Sequence, residues 1–85
     1  MPWFEFIWMD DIGGNIEHIA LHGLTQDDFE FVFQNYEGET VSESSGRPMR
    51  FGRTEDGRLI AVVFEWIEEE MTVCPVTAFE VKERR

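Results

Sequence analysis

The stretch Arg58–Trp66 constrains the fold more than any other part of the chain. It reads Arg-Leu-Ile-Ala-Val-Val-Phe-Glu-Trp. In an extended strand Ile60, Val62, Phe64 and Trp66 point to one face, and Leu59, Ala61 and Val63 to the other. A strand apolar on both faces belongs inside a sheet. One face then takes a helical layer, and the other takes small or partly covered side chains. Asp56-Gly57 just before it is a hairpin signal, which sets Arg50–Thr54 antiparallel to it.

Reading outward from that strand, Trp3–Met9 is rich in β-formers and predicts a short strand. Asp10 or Asp11 is placed to cap a helix with the apolar stripe Ile12, Ile16, Ile19 and Ala20, ended by Gly23. Thr25 is a candidate N-cap for a second helix, with Asp27 and Asp28 at the positive end of its dipole. Phe29, Val32, Phe33 and Tyr36 follow the i, i+3, i+4, i+7 spacing of a buried face, closed by Gly38. Phe31 falls off that stripe, as a peripheral core residue or part of a contact surface. Glu39–Ser44 reads as a polar strand near an edge, and Met49–Thr54 as a strand. Glu68-Glu69-Glu70 reads as an acidic turn, and Met71–Val81 as the last strand. Pro75 cannot donate to a ladder, so a bulge or an unpaired side is expected there. The expected architecture is α+β: two N-terminal helices on one face of a four-stranded antiparallel meander, with a short N-terminal strand.

Eighty-five residues allow one domain with a small core, for which twelve aromatics supply apolar area. The net charge of −11 argues against the whole chain binding nucleic acid or an anionic membrane, and leaves RNA a disfavoured partner. Its distribution is more telling. Residues 1–46 hold ten Asp and Glu and no Lys or Arg, whereas residues 47–58 hold four arginines against Glu55 and Asp56. A basic partner is drawn to the first half, and any phosphate has to land near the arginines. Alternation puts Arg47 and Arg53 on one side of their strand and Arg50 on the other. Pairing of these arginines with the abundant carboxylates is the competing expectation.

Cys74 is alone, so an intrachain disulfide is excluded, and a small buried thiol is expected. Phe4–Met9 is too short for a signal sequence or a membrane span, which predicts a soluble, cytoplasmic chain. His18 and His22 share a helical face at the i, i+4 spacing of a zinc helix. The glutamate that this pattern needs is Ile19 here, and a third His is lacking. No metal and no cofactor are expected. Nucleophilic catalysis has little support, since Cys74 has no adjacent base and no Ser sits on a strand-to-helix elbow.

Several segments, in order and at similar spacing, resemble the BrnT family, small toxins of type II toxin–antitoxin pairs with a RelE-like ribonuclease fold. They are Phe6-Ile7-Trp8, His22-Gly23-Leu24-Thr25, Phe29 with Phe33, Arg50-Phe51-Gly52, Gly57-Arg58-Leu59 before Val62-Val63, and Val76-Thr77-Ala78. The resemblance implies RNA cleavage, with His22 moving protons, Arg50 and Arg58 contacting phosphate, and Arg47 and Arg53 near them. Where the family tends to carry Lys before its His-Gly this chain has Leu21, and where it tends to carry Arg near the end this chain has Phe79. Each lost cationic donor costs on the order of 10²–10³ in rate. Two readings therefore stand. One is a BrnT-like ribonuclease toxin of reduced activity. The other is a non-catalytic module that binds a basic, antitoxin-like protein through an acidic face that includes Asp27, Asp28 and Glu30.

Overall fold

The computed structural model describes residues 4–67 and 71–82. The strands are β1 (Glu5–Phe6), β2 (Gly38–Val41), β3 (Pro48–Arg53), β4 (Leu59–Ile67) and β5 (Thr72–Glu80). The helices are α1 (Asn15–Ala20) and α2 (Gln26–Gln34). All five strands form one sheet in the order β1-β5-β4-β3-β2. The expected acidic turn at Glu68–Glu70 lies outside the described residues.

The four-stranded antiparallel meander expected from sequence is corrected to a five-stranded mixed sheet. β2 to β5 pair antiparallel in succession, but β1 joins the far edge parallel to β5, with Glu5 opposite Thr72 and Phe6 opposite Val73. The helices between them are short. Parallel pairing of chain segments so far apart needs a crossover, and α1, α2 and the meander provide it. Ile7 N–H extends the pairing by donating to the Val73 carbonyl at 2.9 Å.

A buried side chain locks that edge. Asn15, the first residue of α1, donates from Nδ2 to the carbonyls of Ile7 (2.8 Å) and Pro75 (3.0 Å). Its Oδ1 accepts from Met9 N–H at 2.8 Å. Three backbone groups of two separate segments thus find their partners in one amide. Helix α1 starts at Asn15 rather than at Asp10 or Asp11, because the chain first turns at Gly13 (φ 82°). A Cβ on Gly14 would sit 2.6 Å from the Met9 carbonyl oxygen, so this close turn requires glycine. Ile12, expected on the apolar stripe, is therefore outside the helix and 93% exposed.

Helix α2 follows its sequence more closely. Thr25 Oγ1 accepts from Asp28 N–H and the Asp28 carboxylate accepts from Thr25 N–H, a reciprocal capping box. Phe29, Val32 and Phe33 are buried, in one core with Ile60, Val62 and Phe64 of β4. Tyr36 lies beyond the end of the helix and is exposed. Phe31 is half-buried against the core. Gly38 does not close the helix but opens β2, where the Phe51 ring fills the space a Cβ would need.

Strand β4 occupies the centre of the sheet, as its two apolar faces require. The register shift between Val63 and Phe64 places a bulge in β5 between Pro75 and Thr77. It breaks the simple alternation of that strand. Val73, Pro75 and Ala78 are buried, while Cys74, paired with Glu65, is only partly covered. Among the described residues no helix is long and apolar enough to cross a membrane.

Replacing Asn15 by Ala removes all three bonds and strands buried amide and carbonyl groups. The expected loss is about 2–4 kcal/mol, since an unsatisfied buried polar group costs about 1–3 kcal/mol. Urea unfolding monitored by tryptophan fluorescence checks it, and Asn15→Asp, which loses the Nδ2 donor alone, should fall with it rather than with the native chain.

Candidate functional site

Arg50, expected with Arg58 to contact phosphate, is engaged within the fold. Alternation along β3 turns it toward the helices, opposite in direction to Arg47 and Arg53. Its guanidinium carbon lies 4.3 Å from the centre of the Phe33 ring and 4.2 Å from that of Tyr36. Phe64 and Trp66 stand at 5.5 and 5.6 Å. Nε donates to Glu39 Oε2 and Nη1 to the Phe33 carbonyl, both at 3.0 Å. Only 11% of its side-chain surface is exposed. A cation held over aromatic faces and bonded to a carbonyl of the last helical turn is well placed for stability. Helix α2 has no basic residue in its own last turn, so Arg50 supplies the cation from the neighbouring strand.

Arg58 does related work at the other end of α2. Nη2 reaches Asp28 at 3.1 Å, Nη1 donates to the Gly23 carbonyl at 3.2 Å, and Nε faces both oxygens of Asp56 at 3.2 Å. It ties the β3–β4 hairpin to the junction of the two helices. Thr54 Oγ1 donates to Asp56 in the same turn. The Thr54 hydroxyl and Arg58 together hold the Asp56 carboxyl below its ordinary range, and Asp56 in turn raises the Arg58 guanidinium.

The remaining expected phosphate ligands are also engaged. Arg47 bonds Glu65 across the sheet, and Arg53 donates to the Gly57 carbonyl at 2.9 Å. His22 is exposed, with its ring centre 5.9 Å from that of His18. Among the described residues no group of three or more potential metal ligands gathers.

His22 and Arg58 lie at the same end of the molecule, because Arg58 bonds the carbonyl of Gly23, the residue after His22. Arg50 does not join them. It stands opposite Val62 and bonds the Phe33 carbonyl near the C-terminal end of α2, whereas Arg58, just before β4, bonds Asp28 near its N-terminal end. The two guanidinium groups are thus held toward opposite ends of that helix. Arg58 borders a depression of about 470 Å³ with Glu80 and Lys82, and His22 does not line it.

The acidic residues are better exposed. Asp27 is exposed on α2, while Asp28 is committed to the cap and to Arg58. Glu30 accepts from Trp8 Nε1 at 2.7 Å and borders two depressions. The larger, about 540 Å³, is walled by Phe4, Phe6 and Met71 with Glu5. The smaller, about 280 Å³, gathers Asp27, Glu30 and Glu55 around Phe31 and Gln34. Glu55, from the β3–β4 turn, was not a candidate on sequence grounds, since only the folded hairpin brings it to α2.

Comparisons with protein-family models, with curated proteins and with solved structures give no match to this chain.

Truncating Arg50 to Ala should destabilise the fold by about 3 kcal/mol, because it leaves Glu39 and the Phe33 carbonyl without their partner. Arg50→Lys should recover only part of this, since an ammonium cannot stack flat on Phe33 and Tyr36. Thermal unfolding of the two variants against the native chain measures both effects.

Proposed function

We propose that the chain is a non-catalytic, cytoplasmic protein-binding module whose acidic helical side takes a basic polypeptide. The observation that carries this reading is the fate of the arginines. Arg47, Arg50, Arg53 and Arg58 all bond carboxylates or carbonyls within the chain, whereas several carboxylates of residues 1–46 face solvent. A phosphate has to displace a carboxylate or carbonyl to reach Arg50, and a negative surface repels RNA on approach. A cationic segment meets no such barrier. Asp27, Glu30 and Glu55 around Phe31 offer it charge at the rim and an aromatic surface at the centre. A basic antitoxin-like protein is one partner of this kind.

The BrnT-like ribonuclease toxin is the second reading. It is favoured by the meeting of Arg58 with the Gly23 carbonyl beside His22, which brings together two of the residues named by the resemblance.

A Lys- and Arg-rich peptide titrated into the protein should lose affinity several-fold between about 0.05 and 0.3 M salt, as screening shortens the reach of the field. Asp27→Lys combined with Glu55→Lys should weaken it about tenfold, or about 1.4 kcal/mol. Asp28 is a poor probe, because its reversal also removes the helix cap. Affinity indifferent to salt and to both reversals rules the reading out. Cleavage of RNA by the native chain, lost in His22→Ala, favours the ribonuclease instead.

A further inference from the structure

The helices pack over Ile60, Val62 and Phe64 on one face of the sheet, and among the described residues no helix lies over the opposite face. The register aligns two rows there. Gly38, Phe51, Ala61 and Phe79 form one, and Thr40, Met49, Val63 and Thr77 the other. Ala61 and Val63 on the central strand are short and lie at the floor, 2% and 3% exposed, between walls of Met49 and Phe51 on β3 and Thr77 and Phe79 on β5. Phe79 remains 37% exposed at the crest of one wall. The result is an apolar trough running along β4, with the Ser42–Ser44 turn at its rim. A lone sheet face of this composition ordinarily packs against a second layer.

We propose that this face is a dimer interface, and that the layer packed on it is the same face of a second copy of the chain. Charge selects the occupant. The face carries Arg47 and Arg53 against Glu65 and Glu5, a balance of zero, with Glu43 in the turn at its rim, in a chain of net −11. Two such chains repel each other through their helical sides, and this face is where they approach with least repulsion. A two-fold contact is also self-complementary, so each copy presents the other with an identical trough.

The area suits a weak contact. The four strands are 4, 6, 9 and 9 residues long, so at about 3.3 Å per residue and about 4.8 Å between strands the face covers roughly 450 Å². Two copies together cover about 900 Å², a little below the roughly 1,000 Å² of a stable interface and within the range of transient ones. The dimer is therefore a weak one, populated at high micromolar concentrations.

This inference is independent of the basic-partner reading, which concerns the helical side, and its salt dependence has the opposite sign. Sedimentation equilibrium of the full chain up to about 200 µM should show the average mass rising from 10.0 kDa toward twice that value. Raising salt from about 0.1 to 0.5 M should leave the association unchanged or strengthen it, because it screens like charges. Phe79→Asp and, as a milder change on the same face, Thr77→Arg should each hold the mass at the monomer while far-ultraviolet circular dichroism stays native. Asp27→Lys on the helical side should leave the dimer intact. A monomeric mass throughout the range, whether or not the face then takes up an apolar peptide, overturns the proposal. So does a dimer that survives both outer-face substitutions.

Discussion

The contact of Arg50 with Phe33 holds the two layers of this protein together. Phe33 stands at the centre of the aromatic cluster, with Phe4, Phe6, Phe64 and Trp66 between 4.8 and 5.7 Å from its ring centre. Arg50 lies over the same ring and bonds the carbonyl of the same residue. A single residue of α2 therefore anchors the packing through its ring and the electrostatics through its backbone. The guanidinium neutralises Glu39 on the edge strand and faces the negative end of the helix dipole, while its flat surfaces complete an otherwise apolar cluster. With Arg58 at the other end, α2 is held to the sheet by one arginine at each terminus.

That arrangement explains how so acidic a chain folds around so few bases. Arg53, Lys82 and the Arg47–Glu65 pair lie at the surface, where an ion pair contributes little. Arg50 and Arg58 sit instead at the ends of α2, where one guanidinium serves several acceptors at once. The same economy leaves Asp27 of α2 and Asp10, Asp11 and Glu17 of the preceding segment facing solvent, which is the physical basis for proposing a cationic partner on that side. On the opposite face of the sheet the charges balance, and apolar contact governs association instead.

Much of this was legible in sequence where the cause was local. The spacing of Phe29, Val32 and Phe33, the cap at Thr25 and the two apolar faces of β4 each act within one element, and each is found in place. The divergence of Arg50 from Arg47 and Arg53 also followed from alternation, and with it the difficulty of a shared phosphate site. The parallel pairing of β1 was not legible, because it depends on Asn15 meeting Pro75, sixty residues away. A lone Asn after two glycines looks like part of a turn. Asp28 read as a free surface acid because its partners, Thr25 aside, come from a hairpin thirty residues later. The internal partners of Arg50 and Arg58 were likewise not legible, because Glu39, the Phe33 carbonyl, Asp28 and the Gly23 carbonyl come from other elements.

Arg50 and Arg58 are already satisfied within the fold, and two-dimensional NMR of the arginine Nε–Hε groups reports on this. The signals of Arg50 and Arg58 should be resolved and slow to exchange with water, and should stay in place when a short single-stranded RNA or inorganic phosphate is added. Displacement of those two signals at concentrations that leave the rest of the spectrum unchanged would contradict the account and return both arginines to a phosphate-binding role.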